Sequence, residues 1–296
     1  MKNTIFTGSG VAIVTPMNDD FSINYAELGR LIEWHIENAT DSIIICGTTG
    51  ESTTMTDEEH VECIRYTVEC VKGRIPVVAG AGSNDTPYAV WLSQEAKQAG
   101  ADALLHVTPY YNKTSQRGLI RHFTNIADAT DLPVILYNVP SRTGLNILPE
   151  TYLELCKHPN IVATKEANSN IADAVKTASL CGDELDIYVG NDNEIVPFLS
   201  IGGKGVISVL ANIAPKETHD ICSLFFEGKA KESAALQLKL NSLISALFCD
   251  VNPIPVKYAM NLMGFKAGLC RMPLIEPAPA QAAFIEAEMK KHGLIG

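Results

Sequence analysis

Asn160-Ile161-Val162-Ala163-Thr164-Lys165-Glu166-Ala167 is the stretch on which the reading of this chain turns. Four apolar or β-branched residues in succession suit a strand buried on both faces, the kind found in parallel sheets covered by helices. Lys165 at its end does not fit that setting. A buried ammonium is costly unless it is paired or converted to the neutral amine, and a neutral lysine amine is a nucleophile that forms Schiff bases with ketones. The alternative is a strand-end lysine that reaches water along its own stem or pairs with a carboxylate.

On either side of this segment the same pattern recurs. Short apolar runs lie at Val11 to Thr15, Ser42 to Cys46, Ile75 to Ala79, Ala103 to Val107, Pro133 to Tyr137, Ile161 to Thr164, Ile187 to Val189 and Val206 to Leu210. Amphipathic stretches separate them, with helix-start signals such as the Thr56 to Glu59 capping box and Pro87 just inside a start. Eight strands alternating with helices predict an α/β fold, a (β/α)8 TIM barrel. After Ala211 the strands stop, and Leu236, Leu240, Leu243 and Leu247 recur at helical spacing as an apolar stripe of core or subunit interface. The expected organisation is a catalytic barrel over residues 1–213 and a C-terminal helical extension over 214–296 packed on it.

The bulk properties narrow the function. The chain has 296 residues, 46% of them hydrophobic, and a formal net charge of -11 without a Lys/Arg run. That balance argues against nucleic acid as a partner and favours small molecules and further copies of the chain. Eight cysteines are scattered without metal-ligand spacing, no apolar stretch opens the N-terminus, and no run approaches membrane-spanning length. A cytoplasmic protein with reduced thiols and no membrane partner is expected.

Barrel enzymes carry their chemistry on loops after the C-terminal strand ends, and here those loops are rich in reactive groups. Thr48 and Thr49 lie between glycines, where hydroxyls and backbone N–H groups can hold a carboxylate or simply make a capped turn. Tyr137 ends the fifth run, as a core aromatic or as a proton relay in a dry site. Arg142 stands in a turn, its guanidinium fork suited either to a ligand carboxylate or to a surface ion pair. Asp192 and Glu194 raise a metal site, but the only histidine near a strand end is His106, within the fourth strand, so no metal is expected. Gly80-Ala81-Gly82 lacks the third glycine of a dinucleotide fingerprint, and Gly202-Gly203-Lys204-Gly205 precedes a strand instead of a helix. No cofactor is implied.

Taken together, Gly47 to Glu51, Tyr137 to Gly144, Lys165-Glu166-Ala167 and Gly202 to Ser208 resemble the dihydrodipicolinate synthase family, and the resemblance spans nearly the whole chain. It implies a Schiff-base-forming lyase of lysine and diaminopimelate biosynthesis that condenses pyruvate with L-aspartate 4-semialdehyde. By position it makes Lys165 the imine-forming residue, Tyr137 the proton relay and Thr48 the hydroxyl linking it onward. Tyr111 would enter the neighbouring subunit's site, in a homotetramer built as a dimer of dimers. Thr49 would hold the pyruvate carboxylate, Gly190 and Ile207 would line the pyruvate pocket, and Arg142 would grip the semialdehyde carboxylate.

Related sialic acid lyases and sugar-acid aldolases share the lysine and tyrosine, but commonly differ at the second hydroxyl or the arginine. A non-catalytic barrel would be expected to have lost Lys165 or Tyr137. One departure concerns regulation. Where lysine-inhibited members place an acidic residue and a histidine at an interface, this chain has Tyr88 and Asp57, although Asn84, His60 and Tyr110 match. Weak or absent inhibition by lysine is the expectation.

Overall fold

The computed structural model describes residues 2–296 and contains a closed parallel barrel of eight strands. They are β1 (Gly8–Ala12), β2 (Ser42–Ile45), β3 (Val77–Gly80), β4 (Ala103–Val107), β5 (Val134–Asn138), β6 (Ile161–Glu166), β7 (Asp186–Val189) and β8 (Gly205–Ser208). The ring closes where Gly8 pairs with Gly205 and Val11 with Ser208. A Cβ on Gly205, which has φ +153°, would lie 1.9 Å from the Gly8 carbonyl oxygen, so the seam admits no side chain there.

A helix follows each strand, so both faces of the sheet are dry. Ile43, Ile45, Leu104, Leu136 and Val189 pack outward against the helices. Ala12, Ile44, Val78, Leu105, Ile135 and Ile207 point inward and fill the barrel. At the N-terminal end Phe6 stacks on Tyr188 with ring centroids 4.3 Å apart, and the Tyr188 hydroxyl donates to the Phe6 carbonyl at 2.6 Å. The lower barrel is therefore solid, and chemistry is confined to the other end.

Only β4 keeps its expected bounds; the other strands differ by one to three residues at one or both ends, and four of these differences have a clear physical cause. β1 begins at Gly8 instead of Val11, because the Gly8-Ser9-Gly10 stretch that suits the crowded seam hides the strand from an apolar count. β3 omits Ile75 and Pro76, proline having no N–H for the ladder. β8 stops at Ser208, since the N–H groups of Val209 and Leu210 turn to the Asp192 carboxylate. β6 runs two residues longer than the apolar run and takes in Lys165 and Glu166.

β6 also contains the irregularity that decides the site. Val134 pairs with Ile161 but Ile135 pairs with Ala163, so Val162 is an extra residue in the strand. Both Val162 and Ala163 face the barrel interior, whereas Ile161 faces the helices. Side chains in a strand alternate between faces, so one inserted residue reverses the phase beyond it. Lys165 consequently points into the barrel and Glu166 away from it.

The expected capping box is present, with Thr56 and Glu59 bonding reciprocally at the start of helix Asp57–Val71. Asp85 caps helix Thr86–Gln98 just ahead of Pro87. After β8 come helices Pro215–Phe226, Ala230–Leu247, Ile254–Leu262 and Pro279–Lys291. Leu240, Leu243 and Leu247 are buried and Leu236 packs against the same core. No helix among the described residues is long and apolar enough to cross a membrane.

Candidate active site

Lys165 is only 6% exposed, and its ammonium nitrogen lies 4.3 Å from the centre of the Tyr137 ring. Their strands pair side by side, with Tyr137 opposite Lys165. Among the described residues no carboxylate forms an ion pair with Lys165, and the face of an aromatic ring is a weaker substitute. The amine is thus held in a dry place without a direct ion pair, although its charge acts on the buried Asp192 carboxylate. The next strand makes room for it. A Cβ on Gly190 would lie 3.0 Å from Lys165 Cε and 2.9 Å from Ala167 Cβ, so any other residue would press on the lysine stem. Ile207, fully buried on β8, adds an apolar wall.

Above Tyr137 opens a cavity of about 270 Å³. Thr48, Tyr110, Tyr137 and Arg142 line it, while Lys165, against the Tyr137 ring, does not. Its size suits a molecule of a few carbons. Thr49 is buried, and its hydroxyl accepts from Asn252 Nδ2 at 2.9 Å. Arg142 is solvent-facing on the short helix Pro140–Thr143 and donates through Nη2 to the Asn252 carbonyl at 3.3 Å. One asparagine therefore touches both residues expected to hold carboxylates.

Tyr111 does not join this group within the single chain. It is 94% exposed, has φ +68°, and projects away from the barrel. No hydrogen bond joins Tyr137 to Thr48 among the described residues, although both line the cavity.

The strand's other face carries Glu166, 5% exposed. Its carboxylate accepts from Asn138 Nδ2 at 2.9 and 3.1 Å, from the Tyr152 hydroxyl at 3.0 Å and from the Asn168 N–H at 3.0 Å. Burial is the dominant influence and pushes its pKa up to about 7 against these donors. Asn138 continues the network to Asn146 at 2.7 Å and, through Oδ1, to the Ile147 N–H at 3.0 Å. The loop carrying Arg142 is thereby tied to the strand carrying Lys165.

The groups that raised a metal do not converge. Asp192 accepts from Ser208 Oγ at 2.5 Å and from two backbone N–H groups, while Glu194 bonds Asn191. His106 faces the helices beside Ser93, and burial pushes its pKa down to about 3. At the rim, the Tyr88 hydroxyl donates to Asp57 at 2.6 Å. Burial first and that carboxylate second push the phenol's pKa up.

Comparison with known proteins shows the family. The model of the Dihydrodipicolinate synthetase family matches residues 5–291. The chain belongs to that family. Within the dihydrodipicolinate synthetase family it is 60% identical over 292 residues to the 4-hydroxy-tetrahydrodipicolinate synthase of Lachnoclostridium phytofermentans, covering 98% of this chain and 99% of the relative. It is 55% identical over 291 residues to that of Caldicellulosiruptor bescii, covering 98% of each. The crystal structure of dihydrodipicolinate synthase from Aquifex aeolicus superposes with a TM-score of 0.96 at 41% identity, covering 98% of this chain and 99% of that one.

Three features of this dihydrodipicolinate synthetase family member escaped sequence reasoning. Asn252 arrives from the extension, and only its place in Asn252-Pro253-Ile254-Pro255 hinted at a special loop. The Glu166 network is assembled from four segments with no local pattern. The extra residue at Val162 is invisible in an unbroken apolar run.

Proposed function

We propose that this chain performs the 4-hydroxy-tetrahydrodipicolinate synthase reaction with Lys165 as its covalent residue. The observation that carries the assignment is Lys165 itself, buried near the C-terminal end of β6 on the Tyr137 ring and outside any direct ion pair. The chain is a lyase of the class I aldolase type, serving lysine and diaminopimelate biosynthesis.

The Lys165 amine adds to C2 of pyruvate, and loss of water leaves an iminium. That cation accepts the electrons released when a methyl proton departs, giving an enamine. Tyr137 and Thr48, on the cavity wall, move that proton. The enamine carbon attacks the aldehyde of L-aspartate 4-semialdehyde, whose oxygen takes up a proton to become the 4-hydroxyl. The semialdehyde's amine then attacks C2, and Lys165 leaves as the ring closes. Thr49 and its N–H neighbours hold the pyruvate carboxylate, Gly190 and Ile207 shape its pocket, and Arg142 binds the second carboxylate bidentately.

In the same reading Tyr111 completes a neighbour's site within a homotetramer of the dimer-of-dimers kind, in the cytoplasm. The same reading divides the chain at 213 and 214, and the first helix beyond, Pro215–Phe226, packs on β1 and β8. Tyr88 and Asp57 satisfy one another at the rim, which supports weak inhibition by lysine. Activity halved by sub-millimolar lysine would refute that last point.

Borohydride reduction with pyruvate, followed by intact mass and peptide mapping, tests the central claim. Pyruvate-dependent addition at Lys165 is expected, and addition elsewhere or none sinks it. Turnover with aspartate semialdehyde, set against N-acetylneuraminate and 2-keto-3-deoxy acids, then tests the second substrate.

A further inference from the structure

The turn that carries Thr48 and Thr49 is gripped from outside the barrel by a buried ion pair. Glu51 follows the turn with φ +58° and is 3% exposed. One carboxylate oxygen accepts from Lys257 Nζ at 2.8 Å, the other from the backbone N–H of Arg271 at 2.8 Å. Lys257, 1% exposed on helix Ile254–Leu262, also donates to the carbonyls of Thr15 at 3.2 Å and Leu269 at 2.7 Å. Thr15 in turn donates its hydroxyl to the Gly50 carbonyl at 2.8 Å. The ammonium therefore joins the chain beyond β1, the turn beyond β2 and the C-terminal segment at one point.

A buried pair of this kind is a poor way to gain stability, because desolvation offsets most of the attraction and a well-packed apolar pair serves as well. What it supplies is direction. Each oxygen and each ammonium proton has one partner, so the turn has one position relative to the extension. Thr48 and Thr49 lie three and two residues from Glu51, and Asn252 of the same extension holds the Thr49 hydroxyl. We propose that Glu51 and Lys257 are positioning residues for catalysis, through which the helical extension sets the Thr48 hydroxyl where it can pass the pyruvate methyl proton. This rests on the assignment of Lys165 and Thr48 made above.

The full-length protein in its native assembly tests it, with Glu51→Gln and Lys257→Met as variants. Two signals are read: pyruvate-dependent borohydride trapping at Lys165, and exchange of pyruvate methyl protons for deuterium without aldehyde, followed by NMR. Both variants are expected to trap pyruvate at Lys165 while exchange per trapped site falls about 10- to 100-fold, in line with misplacing a catalytic group. Leu243→Ala serves as the control for stability, since Leu243 is buried in helix Ala230–Leu247. It should lower the melting midpoint and leave exchange per trapped site unchanged.

Exchange within about twofold of the parent in a trapping-competent variant overturns the proposal, as does an equal fall in the Leu243→Ala protein. Should Lys257→Met not fold, Glu51→Gln decides alone, because it keeps the side-chain shape and an acceptor for the Arg271 N–H. A parent protein that traps no pyruvate at Lys165 overturns the Lys165 assignment and this proposal with it.

Discussion

Lys165 gains its character from what surrounds it, and the surroundings are small. Gly190 leaves only hydrogen where a Cβ would sit 3.0 Å from Lys165 Cε. Gly190→Ala is expected to displace the lysine stem and lower kcat/KM for pyruvate about 100-fold, with slower borohydride trapping; unchanged trapping would contradict the contact. Glu166, behind the lysine, makes the fold sensitive to pH. Its carboxyl titrates at about 7 in the folded chain against an ordinary 4.5. Between those values the folded chain keeps a proton that the unfolded chain has lost, so stability is greatest below the window and falls as pH rises through it. The loss reaches up to about 3 kcal/mol. Glu166→Gln should flatten the melting midpoint across that window, and a slope equal to the parent's would assign the effect to another group.

Among the elements, β6 is where local pattern and final structure part. An apolar run predicts a buried strand but says nothing of phase when both faces are dry, since Ile161 and Val162 satisfy either side. The bulge absorbs the extra residue at Val162, and Lys165 faces inward opposite Tyr137. Deleting Val162 is therefore expected to remove the bulge while keeping Ala163 opposite Ile135 and Lys165 opposite Tyr137, so that pyruvate trapping at Lys165 persists in a chain whose circular dichroism remains that of an α/β barrel. Loss of trapping in a folded deletion variant would show that Lys165 does not keep its place opposite Tyr137 once the extra residue is gone. Helix starts were more legible. Thr56 with Glu59 and Asp85 with Pro87 act within one turn of chain, so the capping rules reach them without tertiary information.

At the scale of the whole molecule, one chain holds Lys165, the cavity and the residues proposed to bind carboxylates, and leaves Tyr111 in solvent. If Tyr111 completes a neighbouring site, activity per chain should fall as the protein is diluted through dissociation, and Tyr111→Phe should lower kcat about 10- to 100-fold with the assembly intact. A fully active monomer would remove that role. The extension belongs to the site as much as the barrel does, since Asn252 and Lys257 reach back to Thr49 and Glu51 across more than 200 positions of chain.

The amino-acid sequence by itself determined the eight-fold alternation of strands and helices, the strand ends at which reactive groups gather, and the family motifs at Thr48, Thr49, Tyr137, Arg142 and Lys165. Those features are local or periodic, and a short window contains all the physics that sets them. Tertiary structure alone decided that Lys165 faces the barrel, that it packs on the Tyr137 ring, and that Asn252, Glu166 and Lys257 reach Thr49, Asn138 and Glu51. Those outcomes depend on register, burial and contacts between distant segments, which exist only once the barrel closes and excludes water.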